Sequence, residues 1–160
     1  MIRVVLGIDP GGTGAIAVVN LDTLALVAVV DMPMAGKEVA VPLLADVAWG
    51  NEQVVGVAIE RVHSMPGQGV SSSFEFGRRF GVVEGYFGAR YRATLVTPPT
   101  WKASFALNGK DKDEARLYAI KRWPDRAAVF ARKKDIGRAD AALIALHHAQ
   151  TGVFGKVGAR

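Results

Sequence analysis

Apolar residues come in short bursts along this chain, and their spacing changes character several times. Residues 2–9 form a nearly continuous apolar run that stops at Asp9, and Pro10-Gly11-Gly12-Thr13-Gly14 then supplies a tight turn. Two further β-rich runs, 15–20 and 24–30, are joined through Asn20-Leu21-Asp22-Thr23, a link suited to a hairpin. Three strands with such short links predict an antiparallel meander. Apolar spacing then turns helical over 39–49, and a continuous run over 54–59 ends at Glu60, as expected for a strand buried on both faces. Residues 61–70, with Pro66, Gly67 and Gly69, predict a mobile loop, and Ser71 to Ser73 can cap a helix running to about Gly88. A fifth strand, 93–97, is broken by Pro98-Pro99, which start a short helix around Trp101 and Lys102. Gly109 separates it from a helix over 112–123, stopped by Pro124, and a last helix spans 137–150.

This order, βββ-α-β-α-β-α-α-α, predicts an α/β fold with a mixed five-stranded sheet, three antiparallel strands then two parallel, flanked by helices. Several α/β architectures share that order. The chain shows no internal repeat and no long linker, so residues 1–150 are expected to form a single domain and 151–160 a flexible, Gly-rich tail.

At 160 residues, half of them apolar, the chain can bury a core without staples. It has no cysteine, which excludes a thiolate zinc site, a cysteine nucleophile and a disulfide framework, and fits a reducing compartment. No signal-peptide pattern opens the chain, and its longest apolar stretch is too short to span a bilayer, so a soluble, intracellular protein with no membrane partner is expected. The net charge of +5 hides an asymmetry: residues 1–77 hold three basic and eight acidic side chains, residues 78–138 fifteen basic and six acidic. The basic region, which includes Lys110 and the run Arg132-Lys133-Lys134, suggests a surface for a polyanion beside a carboxylate-bearing site; an ordinary basic surface is the plainer reading.

Asp9 and Glu60 each follow an apolar strand directly, where a side chain leaves the core while resting on rigid backbone. If those strands are parallel neighbours, both carboxylates project at one sheet edge. Asp140 is an acid within the apolar stretch Ala139-Asp140-Ala141-Ala142-Leu143-Ile144, unusual unless it is paired, capping or binding a cation. Taken singly, each has a local explanation: Asp9 as a turn former, Glu60 as a partner of Arg61, Asp140 as a favourable charge near a helix N-terminus. Taken together they suit Mg²⁺ or Mn²⁺, which prefer oxygen ligands, and two such ions can activate water and stabilise a leaving 3′-oxygen.

Several segments, in order, resemble RuvC-type Holliday-junction resolvases of the ribonuclease H-like superfamily, most closely as phage-encoded relatives write them. They are Gly7-Ile8-Asp9-Pro10-Gly11-Gly12-Thr13-Gly14, Ala58-Ile59-Glu60-Arg61-Val62, residues 73–81, Thr97-Pro98-Pro99-Thr100-Trp101-Lys102, Lys112-Asp113-Glu114-Ala115 and Asp135-Ile136-Gly137-Arg138-Ala139-Asp140-Ala141. The resemblance implies a ribonuclease H-like fold and a homodimeric endonuclease that nicks four-way DNA junctions symmetrically with a divalent metal, in the cytoplasm of a bacterial or phage-infected cell. It carries the metal-ligand role to Asp9, Glu60 and Asp140, and phosphate contact near the scissile bond to Lys102 and Lys112.

Two departures stand out. The family usually places a second acid three residues before the last one, where this chain has Gly137. Asp135 is the nearest substitute as a catalytic metal ligand, provided the helix begins after it; an N-cap with no metal role is the other reading. The family's base-stacking aromatic is replaced by His63. Gly77, Gly81 and Gly85 recur every four residues and mark one helix face for close approach, either by the chain's own sheet or by a second copy, in which case Arg78 and Arg79 flank the interface near the junction arms. Two other functions compete: a non-catalytic module that binds branched nucleic acid on the same fold, and a phosphotransferase fragment of the actin and sugar-kinase type, whose opening Asp-x-Gly-Gly-Thr matches Asp9 to Thr13.

Overall fold

Side chains alternate across the first strand, β1 (Ile2–Asp9), and this period of two assigns them to two cores. Val4, Leu6 and Ile8 face one side of the sheet and Val5 faces the other, all without solvent exposure. The computed structural model describes residues 1–46 and 52–154. In it β1 pairs antiparallel with β2 (Ala15–Asn20), which pairs antiparallel with β3 (Leu26–Asp31), giving the expected meander. On its other edge β1 pairs in parallel with β6 (Glu52–Glu60), and β6 in parallel with β7 (Ala93–Val96), so the sheet order is β3-β2-β1-β6-β7. The mixed five-stranded sheet is therefore as expected.

Helices cover both faces. On one side α2 (Val70–Gly88) sends Val83 and Phe87 into a core with Val4, Leu6 and Ile8. On the other, α5 (Ile136–Thr151) lies across β1 and β2. Small residues make that second contact possible. A Cβ on Gly7 would stand 2.2 Å from the Ala141 carbonyl oxygen and from the Ala145 nitrogen, so helix backbone rests directly on strand backbone. The alanine-rich last helix is thus a close-packing element, completed by α3 (Pro98–Ala103) and α4 (Asp113–Arg122).

Several boundaries differ from expectation. The third strand starts at Leu26 because Leu24 adopts a left-handed conformation, φ 58°, inside a turn whose amides at Asp22 and Thr23 donate to Asn20 Oδ1. A small hairpin, β4 (Met34–Ala35) and β5 (Glu38–Val39), precedes the first helix, α1 (Val41–Asp46), and turns through Gly36 at φ 61°. Val39 therefore belongs to a strand; the remainder of the helix expected to residue 49 lies outside the described residues. Past Pro124 the chain winds into a 3₁₀ segment, Pro124–Phe130, and a second one, Lys133–Asp135, leads into α5. Of the expected tail, residues 155–160 lie outside the described residues. No helix among those described is long and apolar enough to cross a membrane.

Candidate active site

The register of β1 against β6 pairs Ile8 with Ile59, so the next residues, Asp9 and Glu60, leave adjacent parallel strands side by side. Gly14 closes the turn after Asp9 so tightly that a Cβ there would stand 2.1 Å from the Asp9 carbonyl oxygen, and the Gly11 amide donates to Asp9 Oδ1 at 3.1 Å. The close seating of α5 on Gly7 brings Asp140, one residue before Ala141, to the same edge. Asp9 and Asp140 line a depression of about 430 Å³ together with Thr13, Lys102, Lys110, Lys112, Lys133 and Lys134.

The electrostatics of the three acids follow from this convergence. Burial raises the Asp9 carboxyl, against the lowering effect of the Gly11 hydrogen bond. Glu60 is pushed up to about 7, first by burial and then by Asp9, with the Trp101 hydrogen bond and Lys102 pulling the other way. Asp140 is pushed up to about 8 by burial, then Asp9 and Glu60, offset by Lys102 and Lys112. Asp9 thus makes Glu60 harder to ionise, and both make Asp140 harder to ionise, the behaviour of like charges in a poorly solvated place. Among the described residues no three acidic or histidine side chains form a ready-made cation cage. The donor set, all carboxylate oxygen at one rigid edge, is nonetheless of the kind that Mg²⁺ and Mn²⁺ accept, and a cation there would offset the charge that burial makes costly.

Asp135 is not brought to this group. It occupies the N-cap position of α5, but its buried side chain turns back on Arg132, accepting the backbone N–H on Oδ2 at 2.8 Å and the guanidinium Nη2–H on Oδ1 at 2.7 Å. Arg138 stands 3.8 Å from the same carboxylate and holds Asp31 at 2.7 and 2.8 Å, which ties the start of α5 to the end of β3. The expectation that Asp135 replaces the missing acid therefore meets a physical obstacle, since its oxygens are already committed to arginine. Gly137 has its own reason: a Cβ there would stand 2.3 Å from the Thr13 carbonyl oxygen, so no acid fits without moving the turn.

Of the basic residues, Lys102, Lys110, Lys112, Lys133 and Lys134 face the depression. Arg132 is held by Asp135. Arg78 pairs with Glu38 at 2.6 Å, and Arg79 passes beside Gly12 and donates to the Lys37 carbonyl at 3.1 Å, so both brace the β4–β5 hairpin. His63 is exposed in the loop after β6. Gly77, Gly81 and Gly85 have nothing within 4 Å of a would-be Cβ, so the glycine face of α2 looks outward and does not pack on the sheet. Sequence reasoning missed Trp101, whose indole Nε1–H donates to Glu60 Oε2 at 2.7 Å. The signal was present, since a tryptophan in a short, core-facing helix needs an acceptor for its N–H.

No protein family matches the chain in sequence, and no curated protein does. Solved structures do. RuvC of Thermus thermophilus in complex with a Holliday junction substrate aligns with a TM-score of 0.58 at 23% identity, covering 94% of this chain and 96% of that one. A second Thermus thermophilus RuvC structure gives 0.57 and 23%, covering 91% and 93%. The Fowlpox virus resolvase in complex with Holliday junction DNA gives 0.52 and 16%, covering 92% and 99%. At these identities the likeness establishes the fold: the chain has the ribonuclease H-like architecture of these proteins.

Proposed function

We propose that this chain is a metal-dependent, structure-selective endonuclease that binds branched DNA, four-way junctions above all, and hydrolyses phosphodiesters in it. The observation that carries the reading is that Asp9 and Asp140 line a lysine-rich depression while Asp9 and Glu60 are near enough to disfavour charge on Asp140, and Asp9 to disfavour it on Glu60. The neighbouring folds, two of them seen with junction DNA, are consistent with it.

Asp9, Glu60 and Asp140 would hold the cation, from rigid strand ends and from a helix that cannot slide off Gly7. Bound there, Mg²⁺ or Mn²⁺ supplies an activated water and neutralises charge on the phosphate. Lys102 and Lys112, near enough to lower the Glu60 and Asp140 carboxyls between them, offer positive charge to the phosphate as negative charge builds in the transition state. Lys110, Lys133 and Lys134 extend that cationic rim for backbone contact. A second copy of the chain would supply the second nick of a symmetric cut. The outward glycine face of α2, with Phe74 70% exposed beside it, is the surface we assign to that contact.

The test is a nicking assay on an end-labelled synthetic four-way junction, with Mg²⁺ or with chelator. Cutting that needs the metal, and an Asp9→Asn variant that binds the junction but leaves it intact, are expected. Full cutting by that variant would remove the assignment, and junction binding without any cutting by the native chain would favour a non-catalytic binding module.

A further inference from the structure

Glu60 has two carboxylate oxygens, and one is already spoken for by Trp101. The donor is unusually fixed. Trp101 is fully buried, packs in the core beneath α5, and sits in a helix that begins with two prolines. Any backbone carbonyl would satisfy a buried indole N–H, yet here the acceptor is a carboxylate at the candidate metal site, in a short bond to a charged partner. The next residue, Lys102, places its Nζ 5.5 Å from the Trp101 ring centroid and lines the depression, so α3 presents the indole and the ammonium together.

We propose that Trp101 is a positioning residue for the cation-binding carboxylate: it fixes Glu60 through Oε2 and leaves Oε1 as the oxygen available to a divalent ion. This rests on the endonuclease reading above. A glutamate otherwise free about three side-chain torsions is ordered before the ion arrives, so part of the entropic cost of binding is already met.

The indole N–H resonances of the ¹⁵N-labelled native chain report on this directly. Three tryptophans are present, Trp49, Trp101 and Trp123, and Trp101→Phe assigns the signal in question. Trp123 donates to the Leu24 carbonyl at 3.0 Å and serves as the control. A Mg²⁺ titration is expected to move the Trp101 resonance and leave that of Trp123 in place. By calorimetry Trp101→Phe is expected to weaken Mg²⁺ binding about tenfold or more, and its nicking rate to approach the native rate once Mg²⁺ is saturating, which a merely structural defect would not do. An unmoved Trp101 signal while calorimetry registers binding overturns the proposal without need of any variant, as does native Mg²⁺ affinity in a folded Trp101→Phe. A native chain that neither binds Mg²⁺ nor cuts would sink the endonuclease reading first, and that result is seen before any variant is compared.

Discussion

A methyl group at residue 137 would collide with the Thr13 carbonyl oxygen, and that single contact explains why an acid is missing from the start of α5. Gly137→Ala is expected to cost about 1–3 kcal/mol through overpacking, read as a melting temperature lower by about 2–4 °C per kcal/mol; an unchanged melting point would mean that the turn and helix are not in contact. The carboxylates make a second prediction at this scale. Without a bound cation, burial beside Asp9 and Glu60 pushes the folded Asp140 carboxyl up to about 8, against 3.8 in the unfolded chain. Folding therefore takes up a proton between those limits, and the stability of the native chain falls as pH rises through them. Asp140→Asn removes that penalty. It is expected to melt several degrees above the native chain at pH 8, on the order of 5 °C, with the gap narrowing toward pH 5, while its nicking is lost. Melting curves that stay parallel at all pH values would show that the site does not strain Asp140.

Two helices carry predictions of their own. Asp135 precedes α5 with its carboxylate committed to Arg132. Asp135→Ala should thus lose about 1–2 kcal/mol of hydrogen bonding to Arg132 and still nick junctions below its melting point; a folded variant that no longer cuts would make Asp135 a ligand after all. The α2 face is open at Gly81, so Gly81→Arg fits the monomer, and sedimentation is expected to show a native dimer and a monomeric variant with the same melting point at low concentration. The elements themselves were legible in the sequence wherever an apolar period met a breaker: Asp9 before Pro10, Glu60 after a buried run, and Asp140 within an alanine-rich helix all sit where the pattern put them. The β4–β5 hairpin was not legible, because two-residue strands leave no period to detect. Nor were Trp101's bond to Glu60 and Asp135's bond to Arg132, since a side chain's partner depends on tertiary proximity that residue type alone does not encode.

At the scale of the molecule the depression gathers charge from separate segments: Asp9 and Asp140 share its lining with lysines from α3, the loop before α4 and the approach to α5. Such a rim should bind DNA backbone mainly by releasing counterions, so the logarithm of affinity should fall linearly with the logarithm of salt, by about 0.9 per phosphate neutralised. The lysines should also separate by role. Lys133 and Lys134 line the depression without being among the groups that lower Glu60 or Asp140, whereas Lys112 lowers Asp140. Replacing both Lys133 and Lys134 by alanine is therefore expected to flatten the salt slope by about 2 and leave the nicking rate of bound junction nearly unchanged. Lys112→Ala is expected to change the slope by about 1 and also to slow nicking by about tenfold or more, as loss of charge near the transition state requires. Fluorescence-anisotropy titrations across a salt series in chelator, paired with single-turnover nicking in Mg²⁺, separate the two effects. If the double lysine variant keeps the native salt slope, the DNA does not lie along this rim, and the carboxylate edge would need another route to a phosphate.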